Sequence, residues 1–160
     1  MILSDRDIKK AIKSGKIKID PLPDFDEQLG SCSVDLRLGS QNDADSNADK
    51  RRLIILKPGT FQLGITLERV ELPDDLCGIL HGRSSLGRQG LMIHSTAPLI
   101  DAGFQGKIVL ELYNSGPKPI ELTEHMRICA LSFEQLTSPA VIPYYKKKNA
   151  RYIGQSIPLK

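Results

Sequence analysis

Two stretches carry groups that could do chemistry. The first, Gly82-Arg83-Ser84-Ser85-Leu86-Gly87-Arg88, is a glycine-punctuated turn with two guanidinium groups and two hydroxyls. Successive backbone N–H groups in such a turn can form an anion-binding concavity, and forked arginine donors suit phosphate oxygens. The same residues also suit a capped surface turn, with Ser84 as N-cap and both arginines in water. The second stretch runs from Lys107 to Asn114. Ile108, Leu110 and Leu112 alternate with Val109, Glu111 and Tyr113, the period of a strand. Glu111 therefore shares its face with Val109 and Tyr113. A carboxylate in such a setting tends towards a raised pKa, which suits a general acid and base. The alternative is a glutamate paired with an arginine of another strand or subunit.

The elements around these stretches are short. Ser4 and Asp7 form a capping-box variant, Leu3 and Ile8 a hydrophobic staple, and Ile8, Ala11 and Ile12 an apolar stripe ending at Gly15. One short helix over about residues 5–14 follows. A short strand is expected over residues 16–20, then an extended loop enforced by Pro21 and Pro23. Cys32, Val34, Leu36 and Leu38 alternate with polar residues as a half-buried strand, leaving Asp35 and Arg37 on the other face, where solvated pairing is expected. Residues 40–50 are small, polar and Asn/Asp-rich, a loop tip without the spacing of a calcium loop. Further strands are expected at residues 53–56, 61–67, 77–80 and 127–133, with Pro and Gly turns between them. Closely spaced short strands point to a barrel or sandwich.

Composition narrows the classes. The chain has 160 residues, 26% charged, with a net charge of +3, and fits one domain. Aromatic content is 5% with no Trp, which removes the stacking platform of single-strand nucleic-acid binders. Three widely spaced cysteines, Cys32, Cys77 and Cys129, argue against a disulfide framework or a zinc site and fit a reducing, cytoplasmic setting. No apolar run has membrane-spanning length, and the N-terminus lacks a signal-peptide core.

The run GRSSLGR, HSTA, IDAGFQGKIVLELYNSG resembles the dCTP deaminase family of the dUTPase-like superfamily. The resemblance extends upstream through SVDLRLG and FQLGITLERVELPDDL and downstream through RICALSFEQL and RYIGQ. It implies an all-β fold, a distorted jelly-roll β-barrel with a short N-terminal helix, spanning residues 1–160 as one domain. It also implies a flexible tail from about Tyr144 that closes over a nucleotide triphosphate. Carried over residue by residue, Glu111 is the general base and acid. Ser84 and Arg88 hold the attacking water and polarise the cytosine, and the Ala97 carbonyl helps fix that water. Val109 and Leu110 lie along the base, and Asp101 binds the deoxyribose hydroxyl. Arg83 and Ser85, with Tyr144, Arg151 and Gln155 in the tail, bind the triphosphate, and Leu86 and Gly87 of the same turn also contact the substrate. Arg151 stands where the family more often has Lys, and Glu124-His125 where it usually has Pro-Gly, a local turn change.

The implied reaction is zinc-independent hydrolysis of dCTP to dUTP and ammonia, with Mg2+ travelling on the triphosphate. Zinc deaminases need an HxE…PCxxC signature that this chain lacks. The implied assembly is a homotrimer with sites at subunit contacts, acting on no nucleic-acid polymer and no membrane; feedback by dTTP stays open. His81, His94 and His125 are weaker candidates, packed, interfacial or in a turn. Pro98-Leu99 matches neither the monofunctional pattern nor that of the branch that also removes pyrophosphate to give dUMP. IDAGF leans to the second branch; VLELYNSG and ALSFEQL lean to the first, the preferred reading. A plain dUTPase would not be expected to carry Glu111, and a non-catalytic barrel would have no need of Glu111, Ser84 and Arg88 together.

Overall fold

The computed structural model describes residues 1–40 and 53–158, so nearly all of segment 40–50 lies outside the described residues. Helix α1 (Asp5–Lys13) begins as its sequence directs. Ser4 Oγ accepts the Asp7 N–H at 3.4 Å and donates to the Asp7 carboxylate at 3.1 Å. Ile8 and Ala11 are buried, and Gly15, at φ 72°, ends the element in the left-handed region. Strand β1 (Lys18–Asp20) follows. The expected extended loop contains instead a one-turn helix, α2 (Phe25–Gln28). Its last residue decides this: Gln28 is buried and donates to the Asp35 carbonyl at 2.9 Å, tying the turn to β2 (Val34–Arg37).

The remaining elements are β3 (Leu53–Leu56), β4 (Phe61–Glu71), β5 (Leu76–Gly82), α3 (Ser84–Gly87), β6 (Leu91–Met92), β7 (Leu99–Ile100), β8 (Gln105–Asn114), β9 (Ile120–Thr123), β10 (Arg127–Gln135) and a 3-10 turn over Tyr144–Lys146. They form antiparallel sheets in the orders β1-β4-β8-β6, β2-β10-β5-β7 and β3-β9. The described strands thus make three sheets and do not close into one hydrogen-bonded barrel. The all-β expectation holds as a mostly-β fold, with the one-turn helices α2 and α3 added to the single N-terminal helix expected. The inner faces meet in one core, where Leu36, Leu110, Leu112, Ile128, Leu131 and Phe133 are fully buried. Each such side chain contributes about 1.5–3 kcal/mol on leaving water.

Strand β4 runs four residues past its expected end because of a bulge between Ile65 and Arg69. The Thr66 hydroxyl bridges the interruption, donating to the Glu68 carbonyl at 2.8 Å and accepting the Ile108 N–H at 2.9 Å. Glu68 is fully buried beside this bulge. Its carboxylate accepts the Arg37 Nε at 2.7 Å, the Arg37 N–H at 2.8 Å and the Gln28 amide at 3.3 Å. Arg37 is therefore not on a solvated face, contrary to the sequence expectation. Asp35 is only 20% exposed, 3.0 Å from Arg83 and 3.8 Å from Arg127. Strand periodicity foretold the face; it could not foretell that Glu68 and Arg83 cover it.

Candidate active site

Strand β8 separates core from cleft residue by residue. Ile108, Leu110 and Leu112 are buried, while Lys107, Val109, Glu111 and Tyr113 are half-buried on the other face. On one edge β8 pairs with β4 along most of its length. On the other edge its cover is broken. Met92 pairs with Tyr113, the Ile93 carbonyl accepts the Glu111 N–H at 2.9 Å, and the Gln155 carbonyl accepts the Lys107 N–H at 2.9 Å. Strand alternation aims the Val109 N–H and C=O at the same edge, into the gap between these two covers.

That gap opens a cleft of about 660 Å³, bordered by Ala97, Asp101, Val109, Glu111, Arg151 and Gln155 among others. The volume suits a small-molecule site, roughly 300–1,000 Å³. Glu111 faces it from the middle of β8, opposite Leu63 of β4. One Glu111 oxygen accepts the Ser95 N–H at 2.7 Å, which fixes the carboxylate against the chain leading to Ala97. His94 also lines the cleft, with Nδ1 buried and without a hydrogen-bond partner among the described residues. His81 instead meets the Ser132 hydroxyl at 2.8 Å, and His125 lies in the β9–β10 turn.

Asp101 stands at the start of a tight turn closed by the Phe104 N–H on the Asp101 carbonyl at 3.1 Å, with Gly103 at φ 80°. A Cβ at Gly103 would lie 2.6 Å from Pro143 and 2.9 Å from the Tyr144 nitrogen, so glycine lets the tail approach. Tyr144 donates its N–H to the Ala102 carbonyl at 2.8 Å and packs against Phe104, ring centroids 6.0 Å apart. Beyond it the tail runs back along β8, where the Gly154 N–H reaches the Gln105 carbonyl at 2.8 Å. Arg151 and Gln155 arrive in the cleft by this route. Sequence reading missed Lys107, Phe104 and Tyr152, which also line it. Lys107 was within reach, since it shares the period-2 face of Glu111.

The Gly82–Arg88 turn stands elsewhere. Ser84 is the first residue of α3 and Arg83 its N-cap, so Ser84 is not the cap. Leu86 is buried in the core, whereas Ser84, Ser85, Gly87 and Arg88 are exposed. None of Arg83–Arg88 lines the cleft. Arg83 is held by Asp35, whose carboxyl is pushed up from its ordinary value by burial against the opposing pull of Arg83 and Arg127. The turn is pinned through its far end. Ser115 donates both its N–H and its hydroxyl to the Gly90 carbonyl at 2.9 Å; a Cβ at Gly90 would lie 2.2 Å from the Gly116 nitrogen, and one at Gly116 would lie 2.1 Å from the Gln89 carbonyl oxygen. Leu110 lies with its side chain in the core, so only its main chain could meet a ligand.

The mostly-β architecture is shared with solved structures. A 2′-deoxycytidine 5′-triphosphate deaminase from Agrobacterium tumefaciens superposes with a TM-score of 0.67 at 23% identity, over 84% of this chain and 48% of that one. The native EIAV dUTPase superposes with a TM-score of 0.50 at 24% identity, over 73% of this chain and 96% of that one. The fold is thus dUTPase-like, and the chain spans about half of the Agrobacterium protein. In sequence, the dCTP deaminase-like family model matches residues 2–44 and 42–136. The chain is 44% identical to a dCTP deaminase of Thermomicrobium roseum over 180 residues, covering 99% of this chain and 91% of the relative. It is 45% identical to a dUMP-forming dCTP deaminase of Dictyoglomus thermophilum over 179 residues, covering 99% and 92%. The chain belongs to the dCTP deaminase-like family.

Proposed function

We propose that the chain hydrolyses the 4-amino group of dCTP, giving dUTP and ammonia, in the cleft under the tail. The observation that carries this is Glu111: a carboxylate fixed at one oxygen, half-buried, beside the strand edge towards which the Val109 peptide groups point. Water adds across the C4=N3 bond while Glu111 takes one of its protons and passes it to N3. Glu111 then takes the proton of the new C4 hydroxyl and gives it to the amino nitrogen, so that C4=O forms as the C4–N bond breaks and ammonia leaves. The Ala97 carbonyl lies on the same cleft wall and would accept from the water. Asp101 would accept from the deoxyribose hydroxyl. Tyr144, Arg151 and Gln155 would take the triphosphate end, where guanidinium donors suit phosphate oxygens. Magnesium would enter on the triphosphate.

The remaining donors, Arg83, Ser84, Ser85 and Arg88, with the Leu86 and Gly87 main chain, would come from a second copy. In one chain they are convex and outside the cleft, which fits a homotrimer whose sites lie between subunits. The three sheets would then be the wrapped faces of a distorted jelly roll, and residues 1–160 a single domain with a closing tail. Three unpaired cysteines fit a cytoplasmic enzyme.

A second reading, release of dUMP, is favoured by the similar identity to the dUMP-forming relative. Incubation with dCTP and magnesium, followed by separation of products, tests both. Ammonia with dUTP supports the first reading, ammonia with dUMP the second, and binding without ammonia would overturn both.

A further inference from the structure

Of the three consecutive lysines in the tail, Lys147 turns onto Asp101, which lines the cleft. Its Nζ donates to Asp101 Oδ2 at 2.7 Å and lies 5.6 Å from the centre of the Tyr144 ring. Lys146 turns instead to Tyr145. Tyr144 is itself fixed by the Ala102 carbonyl, by Phe104, and by the Tyr152 N–H on its hydroxyl at 3.2 Å. Lys147 therefore joins the first anchor of the tail to the one carboxylate at that end of the cleft. An ammonium on one oxygen of a carboxylate fixes its rotamer and leaves the other oxygen to accept. It also offsets the repulsion a bare carboxylate would present to an incoming triphosphate.

We propose that Lys147 is a positioning residue for sugar recognition: it holds Asp101 so that Oδ1 accepts the 3′-hydroxyl of the substrate, and it couples docking of the tail to that interaction. This rests on the deaminase reading and on Asp101 as the sugar's acceptor. Lys147 touches no reacting atom; its effect passes through Asp101.

The test compares Lys147→Met, Lys147→Arg and Asp101→Asn with the wild-type protein on dCTP and on 2′,3′-dideoxycytidine triphosphate, which lacks the hydroxyl. Lys147→Met is expected to lower kcat/KM on dCTP by roughly two- to fivefold, mostly through KM, the scale of a part-exposed ion pair. On the dideoxy substrate it should change little, because the group it positions Asp101 for is gone. Lys147→Arg should recover most of the loss, and Lys147→Met added to Asp101→Asn should cost nothing further. Equal losses on both substrates would show that Lys147 serves the phosphates or merely the tail, and would overturn the proposal, as would no loss on dCTP. The wild-type protein separates the underlying readings. No ammonia from dCTP removes the deaminase reading. Ammonia formed equally well from both substrates removes Asp101 as the sugar's acceptor. Either result takes this inference with it.

Discussion

The cleft beside β8 and the turn at Ser84–Gly87 are built in opposite senses. The cleft is concave, and its groups are fixed by neighbours: Glu111 by the Ser95 N–H, Asp101 by Lys147, Gln155 by the edge of β8. The turn is convex. It buries Leu86 as an anchor and leaves Ser84, Ser85 and Arg88 in solvent, with no side-chain hydrogen bond or ion pair among the described residues. Fixed groups in a concave wall can bind by themselves. Donors on a rigid corner need a wall brought to them. On the proposed reading, one chain would carry two complementary parts of a site and not a whole one.

This contrast is most exposed to test at Glu111. Glu111→Gln keeps the shape but cannot cycle a proton, so kcat should fall at least ~10²-fold with dCTP binding retained. Turnover within a few-fold of wild type would move the chemistry off the cleft. Arg88→Ala should then cost about 1.5–3 kcal/mol in kcat/KM, the scale of a hydrogen bond to a charged group. Mixing the two impaired proteins under conditions that exchange subunits should restore activity, because some sites then pair an intact Glu111 with an intact Arg88 from another copy. A mixture no more active than its parts would place both residues in one chain's site. Removal of everything after Pro143 strips the cleft of Tyr144, Arg151 and Gln155. Sedimentation should show the assembly unchanged while dCTP affinity weakens by about 1.5–3 kcal/mol for each charged hydrogen bond removed. Unchanged affinity by calorimetry would exclude the tail from the site.

The smallest effect lies far from both regions. His125 occupies the turn between β9 and β10 at φ 69°, with its N–H on the Leu38 carbonyl at 2.8 Å. The left-handed region costs a side chain energy that glycine avoids. His125→Gly should leave activity alone and stabilise the fold by about 0.5–1 kcal/mol, read as a rise in Tm. A fall in Tm would mean the imidazole contributes more than the backbone strain it brings. This is the turn where the family resemblance has Pro-Gly, and here the left-handed geometry stands with a histidine in place.

Local chemistry specified a good part of this protein. Ser4 and Gly15 bound α1 because caps act on adjacent peptide groups. The alternation in β8 sorted core from cleft because a strand's side chains must point to opposite faces. Other features depended on residues far apart in the chain. Glu68 is buried because a bulge in β4 and the side chains of Gln28 and Arg37 coincide there, and no period in the sequence encodes that meeting. Lys147 reaches Asp101 across a docked tail, although its neighbours Lys146 and Lys148 carry the same charge. The separation of the Ser84–Gly87 turn from Glu111 likewise came from packing at long range. The close approach of Gly90 to Gly116 and the burial of Leu86 fix where that corner points, and both depend on how strands pack rather than on what either stretch is made of.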